Sequence, residues 1–271
     1  MKFLFNPPAE KRIYFHYGAM PSFKSGAVIL QVTDYAEFDK IVSLYTRDHG
    51  RIKGIARGAK RSQKRFGGAL EPFTHNEVDY FEREGHGLAR LENCRIINTF
   101  PAISLDIKKI AYGNYLLELV NILTPEREKH AEIFDLLLFF LNLLGSQPPR
   151  EDILRIFEIR ITALLGYQPQ LLQCVNCGQQ YAPQAAYRFS VSRGGIICSA
   201  CHKESDTYPC LSHGTIKIFQ QAQQLSLEKL NRIHFSAASQ GEGKLIMAQF
   251  LEYHIGRKPK SLEFIEQLKQ Q

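Results

Sequence analysis

Hydrophobic and polar positions change rhythm once along this chain, near Pro101. Before it, apolar residues come in short β-branched runs. Ala27-Val28-Ile29-Leu30-Gln31-Val32 stops at Thr33-Asp34, and Lys40 to Thr46 alternates around Ile41, Val42, Leu44 and Tyr45. Arg51 to Arg57 follows the Asp48-His49-Gly50 turn. Phe73 to Phe81 and Leu88 to Ile97 flank Glu84-Gly85-His86-Gly87, a Gly-containing hairpin signal. Five short strands within one segment, with one long connection after the third, predict a small closed β-barrel of the OB type.

After Pro101 the period becomes helical. Leu116, Leu119, Val120 and Leu123 form an i, i+3, i+4, i+7 stripe that ends at Thr124-Pro125. Phe157, Ile161, Leu164 and Leu165 repeat it, closed by Gly166 at a C-cap position. Between them Ile133 to Leu144 is apolar nearly all round, the pattern of a helix at the centre of a bundle and less that of one lining a groove for a partner's hydrophobic tail. Gly145 to Pro149 reads as a loop. The expected class is therefore α+β and multidomain: an OB-fold β-barrel over residues 25–101 and an α-helical domain over 102–271. Residues 1–24 stand apart as an N-terminal extension. Phe3-Leu4-Phe5 is cut off by Asn6-Pro7-Pro8 and the charges Glu10, Lys11 and Arg12, so a signal-peptide h-region is missing and a cytoplasmic location is expected. An alternative start at Met20 and a disordered extension are the two readings of this segment.

Charge sharpens the picture at one place. Net charge is +7 over 271 residues, and the first 101 residues hold 16 Lys and Arg against 11 Asp and Glu. Arg51, Lys53, Arg57, Lys60, Arg61, Lys64 and Arg65 fall within one stretch that has no acidic residue. Strand alternation puts Arg51, Lys53 and Arg57 on one face and Ile52, Gly54 and Ala56 on the other. Gly58 breaks the strand and the charge runs on into a loop. A basic strand face continued by a basic loop suits a polyanion backbone; the plainer reading is a solvated charge run, which usually mixes signs. Phe66, Phe73, Tyr80 and Phe81 are candidate base-stacking platforms, each weighed against a place in the core. Asp34, Glu37 and Asp39 lie close enough in sequence to hold Mg²⁺, against plain turn placement. No run approaches the roughly 20 apolar residues that span a bilayer.

The cysteines add a second chemistry. Cys174-Val175-Asn176-Cys177 and Cys198-Ser199-Ala200-Cys201 are two C-x2-C pairs, the spacing of a four-thiolate zinc site. Tyr187 to Val191 and Ile196-Ile197, around Ser192-Arg193-Gly194-Gly195, form the hairpin that would bring the pairs together in a zinc module at about 170–212. Two disulfides are the competing reading, disfavoured in a reducing cytoplasm. A closed four-sulfur set keeps no open position for water, so the Zn²⁺ would be structural. Cys210 and His202 are spare ligands, and Cys94 reads as a small buried apolar residue.

Several stretches, in this order and spacing, resemble the bacterial RecO family of recombination mediators and DNA repair proteins. They are Thr46-Arg47-Asp48-His49-Gly50-Arg51 leading to Ala56-Arg57-Gly58-Ala59, then Gly68-Ala69-Leu70-Glu71-Pro72-Phe73, Arg155-Ile156-Phe157-Glu158, Leu164-Leu165-Gly166-Tyr167-Gln168-Pro169 and the Cys174–Cys177 knuckle. The resemblance covers Ser25 to the Lys258-Pro259-Lys260-Ser261 segment. It implies an OB-fold, a helical domain and a zinc-binding insertion. It further implies binding of single- and double-stranded DNA, annealing of complementary strands, and loading of RecA, with RecR, onto strands coated by the single-stranded-DNA-binding protein, whose C-terminal tail would be a contact. Some relatives lack the cysteines, which implies that zinc supports the fold. Residues 1–24 depart from the family pattern. No enzyme is expected: there is no phosphate-binding loop, Gly241-Glu242-Gly243-Lys244-Leu245 being a poor fragment of one. A nuclease or nucleotidyltransferase subunit and an RNA-binding accessory protein remain the alternatives.

Overall fold

A computed structural model describes residues 22–82, 87–203 and 207–269. The hairpin tip at 84–86 and the extension up to residue 21 lie outside the described residues. Five strands close into a barrel: β1 (Ser22–Tyr35), β2 (Asp39–Thr46), β3 (Gly50–Ala56), β4 (His75–Phe81) and β5 (Ala89–Asn98). Their order is β1-β2-β3-β5-β4 and back to β1. All pairings are antiparallel except the short parallel closure of β3 on β5, where Gly54 meets Ala89 and Ile55 meets Arg90. That closure depends on the missing side chain of Gly54, since a Cβ there would lie 2.8 Å from Leu91 Cδ2. β1 begins three residues before the boundary at Ser25, with Ser22, Phe23 and Lys24 paired to Phe81, Tyr80 and Asp79 of β4. It is long enough to serve both neighbours because the register slips between Ile29 and Gln31, a bulge that bends the strand round the barrel.

The apolar run at the start of β1 is unbroken because both of its faces are covered. Ala27 and Ile29 point into the barrel with Val42, Leu44, Ile52, Val78, Tyr80 and Leu91, while a short helix α1 (Gln63–Phe66) and the turn after it plug one end with Phe66, Ala69 and Leu70. Val28, Leu30, Tyr45 and Phe73 point outward and join the core of the helical region. Barrel and helices thus share a continuous packed interface. The Tyr45 hydroxyl donates to the His130 carbonyl at 3.2 Å and the Ser43 hydroxyl to Asn121 Oδ1 at 2.7 Å. Gly50 seals this seam: its φ of +66° is a left-handed conformation natural to glycine, and a Cβ would lie 1.9 Å from the Glu128 carbonyl oxygen.

The helical region comprises α2 (Pro101–Ser104), α3 (Ile107–Leu123), α4 (Ala131–Ser146), α5 (Asp152–Leu164), α6 (His213–Gln224), a 3-10 helix (Leu227–Arg232), α7 (Ala237–Ile255) and α8 (Lys260–Leu268). α4 takes the central place its all-round apolar pattern predicts, burying Ile133, Phe134, Leu136, Leu137, Phe140, Leu141, Leu143 and Leu144. It runs on to Ser146, past the expected loop start at Gly145. The stripe of α3 is buried except for half-buried Leu123, and α5 buries Phe157 and Ile161 and ends before Gly166 at φ +86°. α8 is held by α3: Glu118 accepts from the backbone N–H groups of Lys260 (2.9 Å) and Ser261 (2.8 Å), filling the capping role at a helix start. Between α5 and α6 lies a small sheet of β6 (Tyr187–Ser190), β7 (Gly195–Cys198) and β8 (Cys210–Leu211), ordered β7-β6-β8.

Candidate nucleic-acid interface and metal centre

β3 alternates as its sequence dictates. Ile52, Gly54 and Ala56 face the barrel interior, and Arg51, Lys53 and Ile55 face out. The outward face is not uniformly open. Arg51 lies under the connection between α3 and α4, where Nε donates to the Thr124 carbonyl at 2.9 Å and Nη1 pairs with Glu126 at 3.2 Å. Lys53 Nζ meets the same carboxylate at 3.0 Å. The hydrogen bond from Lys53, assisted by Arg51, holds the Glu126 carboxyl below the usual carboxylate range against the opposing effect of partial burial. These two cations are engaged at the seam between barrel and helices. Sequence inspection missed this because Glu126 is 75 residues away from Arg51.

Beyond Gly58 the basic residues separate further. Lys60 pairs with Asp34 at 3.1 Å and Arg61 with Glu37 at 4.0 Å, while Asp39 accepts from the Gly58 backbone N–H at 2.8 Å. The Asp34, Glu37 and Asp39 trio therefore braces the basic turn, and among the described residues the only cluster suited to a metal ion is the cysteine set. Arg65 is folded back, donating to the Arg57 carbonyl at 2.7 Å and to Ser62 Oγ at 3.2 Å with its guanidinium over Phe66. Arg57 and Lys64 are exposed. The stretch without acids in sequence is thus partly neutralised in space, by carboxylates from the β1–β2 hairpin and the helical region.

Three of the four candidate stacking rings are packing residues. Phe66 and Tyr80 fill the barrel and Phe73 packs on the helices; burial lifts the Tyr80 hydroxyl pKa above its usual range, and the hydroxyl is 2.7 Å from His49 Nδ1. Phe81 is half-buried. Two aromatic side chains absent from the sequence-based set occupy the β1–β2 hairpin tip: Tyr35, exposed, and Phe38, with the Arg61 guanidinium 3.1 Å above its ring centroid. The available signal was their position, since two aromatics bracketing a turn have no core to face.

The four sulfurs of Cys174, Cys177, Cys198 and Cys201 lie within 4.8 Å of one another. Zn–S bonds of about 2.3 Å imply a tetrahedral S···S edge of about 3.8 Å. Cys177 and Cys198 stand 3.8 Å apart. The Asn176 and Cys198 backbone N–H groups both point at Cys174 Sγ at 3.4 Å, an arrangement that favours a thiolate at this position. The residues fit a four-thiolate metal centre. Cys210 and His202 are outside the sulfur cluster, and Cys94 lies in the barrel core with its thiol pushed up to about 12 by burial.

Comparison with known proteins agrees with this architecture. The profile described as Recombination protein O N terminal matches residues 20–100, the barrel, and Recombination protein O C terminal matches residues 104–263. The chain belongs to the recombination protein O family. Within that family it is 35% identical over 248 residues to the DNA repair protein RecO of Syntrophus aciditrophicus, covering 90% of this chain and 95% of that protein. Against RecO of Pelotomaculum thermopropionicum it is 35% identical over 251 residues, covering 93% and 96%. Against RecO of Anaeromyxobacter dehalogenans strain 2CP-C the identity is 33% over 249 residues, covering 92% and 98%. The N-terminal family boundary at residue 20 agrees with the start of β1 at Ser22. No described helix is long and apolar enough to cross a membrane.

Proposed function

We propose that this protein is a non-enzymatic recombination mediator of DNA repair, working in the cytoplasm on the nucleoid. It binds single- and double-stranded DNA through the barrel, anneals complementary strands, and with RecR loads RecA onto strands coated by the single-stranded-DNA-binding protein, contacting that protein's C-terminal tail. Family membership supplies the class of activity. The observation that carries the DNA-binding assignment is the cationic edge formed by Arg57, Lys60, Arg61 and Lys64 on a closed five-stranded barrel. Its cations are exposed or paired with largely exposed carboxylates. Exposed pairs of that kind are worth little, so a phosphate can replace the carboxylate at small cost.

In this reading the barrel grips backbones, and the shared seam with the helices keeps it rigidly oriented. The cysteine centre holds Zn²⁺ as a structural ion that ties both knuckles to the β6–β7 hairpin. Annealing follows from charge: two strands that repel each other approach once cations on the protein screen both. No covalent step is required.

The test is fluorescence anisotropy with a labelled oligonucleotide, paired with a strand-annealing assay with and without the single-stranded-DNA-binding protein. Expected are salt-dependent binding, acceleration of annealing, and loss of both when Arg57, Lys60, Arg61 and Lys64 are converted together to Ala. Full retention of binding by that variant would move the DNA site off the barrel. A preference for RNA over DNA in competition would reassign the protein to an RNA-binding role.

A further inference from the structure

The β1–β2 hairpin tip carries a feature that phosphate binding does not use. Tyr35 and Asp39 are the last paired positions of the hairpin, and Ala36, at φ +49°, turns the chain so that Phe38 faces the basic turn after β3. The Arg61 guanidinium sits over that ring, Cζ 3.1 Å from its centroid, with a side chain 68% exposed. Its inner side is thus covered by the ring while most of the side chain stays open to solvent. Among the described residues its ion-pair partner is Glu37 at 4.0 Å, itself 78% exposed. Next along the chain from Arg61, Lys60 lines a cavity of about 280 Å³ together with Lys40, Gln63, Gly67, Gly68 and the carboxylate-bearing Glu71, with Phe66 and Leu70 as its apolar part. The lysine side chains there are about three-quarters and two-thirds buried, whereas their carboxylate partners, Glu71 at 4.0 Å and Asp34 at 3.1 Å, stand mostly in solvent.

We propose that Phe38 and Arg61 form a stacking platform for one unpaired nucleobase of a single DNA strand, with the adjoining phosphate seated in the cavity between Lys40 and Lys60. A guanidinium stacks on a base face as well as an aromatic ring does and adds a cation–π attraction. Phe38 positions it in advance, so little side-chain freedom is lost on binding. Tyr35, exposed on the same tip, is a free ring available to the next base. A base inside a duplex is stacked on both faces and presents no free one, so this site discriminates single strands from duplex, which the cationic edge alone does not. Glu37, Asp34 and Glu71 are the groups that the nucleotide displaces from the cations.

The inference rests on the barrel being the DNA-binding surface, and the experiment separates the two. Arg61→Lys keeps the charge and removes the plane. Binding is measured by anisotropy for an ordinary single strand, an abasic strand with the same phosphates, and a duplex, across a salt series. Expected is a loss of about five-fold or more for the ordinary strand, from a base stack worth about 1–3 kcal/mol, at every salt concentration and with unchanged slope. Abasic strand and duplex should bind as they do to the native protein. Phe38→Trp gives a second readout that preserves the fold: the chain has no other tryptophan, so its emission reports the site alone and should be quenched by the ordinary strand and not by the abasic one. Equal affinities of Arg61→Lys and native protein for the ordinary strand, or an equal loss on the abasic strand, overturn the platform while leaving the barrel a DNA-binding surface. Native protein that binds none of the three removes both readings.

Discussion

Arg51 donates to the Thr124 carbonyl and pairs with Glu126 from beneath the α3–α4 connection, so a residue that the sequence groups with a basic loop is part of the joint between barrel and helices. Its side chain is only 13% exposed. Arg127 adds a backbone hydrogen bond to the Arg51 carbonyl at 2.8 Å. Arg51→Ala leaves a buried carbonyl without its donor and should lower stability by about 1–3 kcal/mol. Lys64→Ala, at an exposed position, should stay within about 0.5 kcal/mol of the native protein. Urea denaturation of the two variants side by side checks this, and equal stabilities would mean that the Arg51 contacts are not formed in solution.

The cysteine centre makes a claim about composition. Freshly purified protein should contain about one zinc per chain by elemental analysis, and chelation should lower its melting temperature because the folding free energy includes the metal's binding energy. Cys177→Ser should lose zinc and become less soluble while keeping most of its DNA affinity, whereas Cys210→Ser should keep the metal, since Cys210 lies outside the sulfur cluster. Loss of DNA binding by a folded Cys177→Ser protein would place the metal in the DNA site.

A third expectation comes from the middle of the helical core. Glu158 is fully buried, paired with Arg155 at 2.5 Å and accepting from the Tyr115 hydroxyl at 2.6 Å. Burial raises its carboxyl from the usual 4.5 to about 7, against the pull of Arg155 and Tyr115. Between those two values the folded state binds a proton that the unfolded chain has released, so this group's contribution to stability falls as pH rises from 4.5 to 7, at about 1.4 kcal/mol per pH unit. His75 and His254, both shifted down by burial, act in the opposite direction. Comparing native protein with Glu158→Gln over this pH range isolates the carboxyl. The native protein should lose its advantage as pH rises; a constant difference would mean that Glu158 stays ionised throughout.

How much of this was readable in advance depended on whether the cause was local. The β3 alternation, the α3 stripe, the apolar wrap of α4 and the C-x2-C knuckles are set by neighbours a few residues apart, and each appears where the pattern places it. What escaped was set by distance along the chain. Glu126 reaches Arg51 and Lys53 only because the α3–α4 connection crosses β3. Phe38 meets Arg61 only because the barrel brings the β1–β2 tip next to the turn after β3. Phe66, Phe73 and Tyr80, candidate platforms for which the sequence favoured a place in the core, are buried because the barrel and the helices each use large rings to close their cores.

That unevenness of pairing predicts how the salt dependence of DNA binding divides among the seven cations. A phosphate neutralised on a single strand contributes about 0.7 to the slope of log K against log salt. Arg57 and Lys64 are exposed, so converting both to Ala should flatten the slope by about 1.4 units and weaken all sequences alike, because phosphate contacts carry no base readout. Arg51 and Lys53 share Glu126, and a phosphate must compete with that carboxylate inside a partly buried joint. Converting them to Ala should change the slope by well under one unit while lowering stability. Lys60 lies between these cases, since Asp34 is mostly solvent-exposed and easily replaced. Anisotropy titrations from low to moderate salt on the two double variants give both slopes. A larger change for Arg51 and Lys53 than for Arg57 and Lys64 would mean that the α3–α4 connection lifts away from β3 when DNA binds, putting the DNA on the outward face of β3 and not on the turn beyond it.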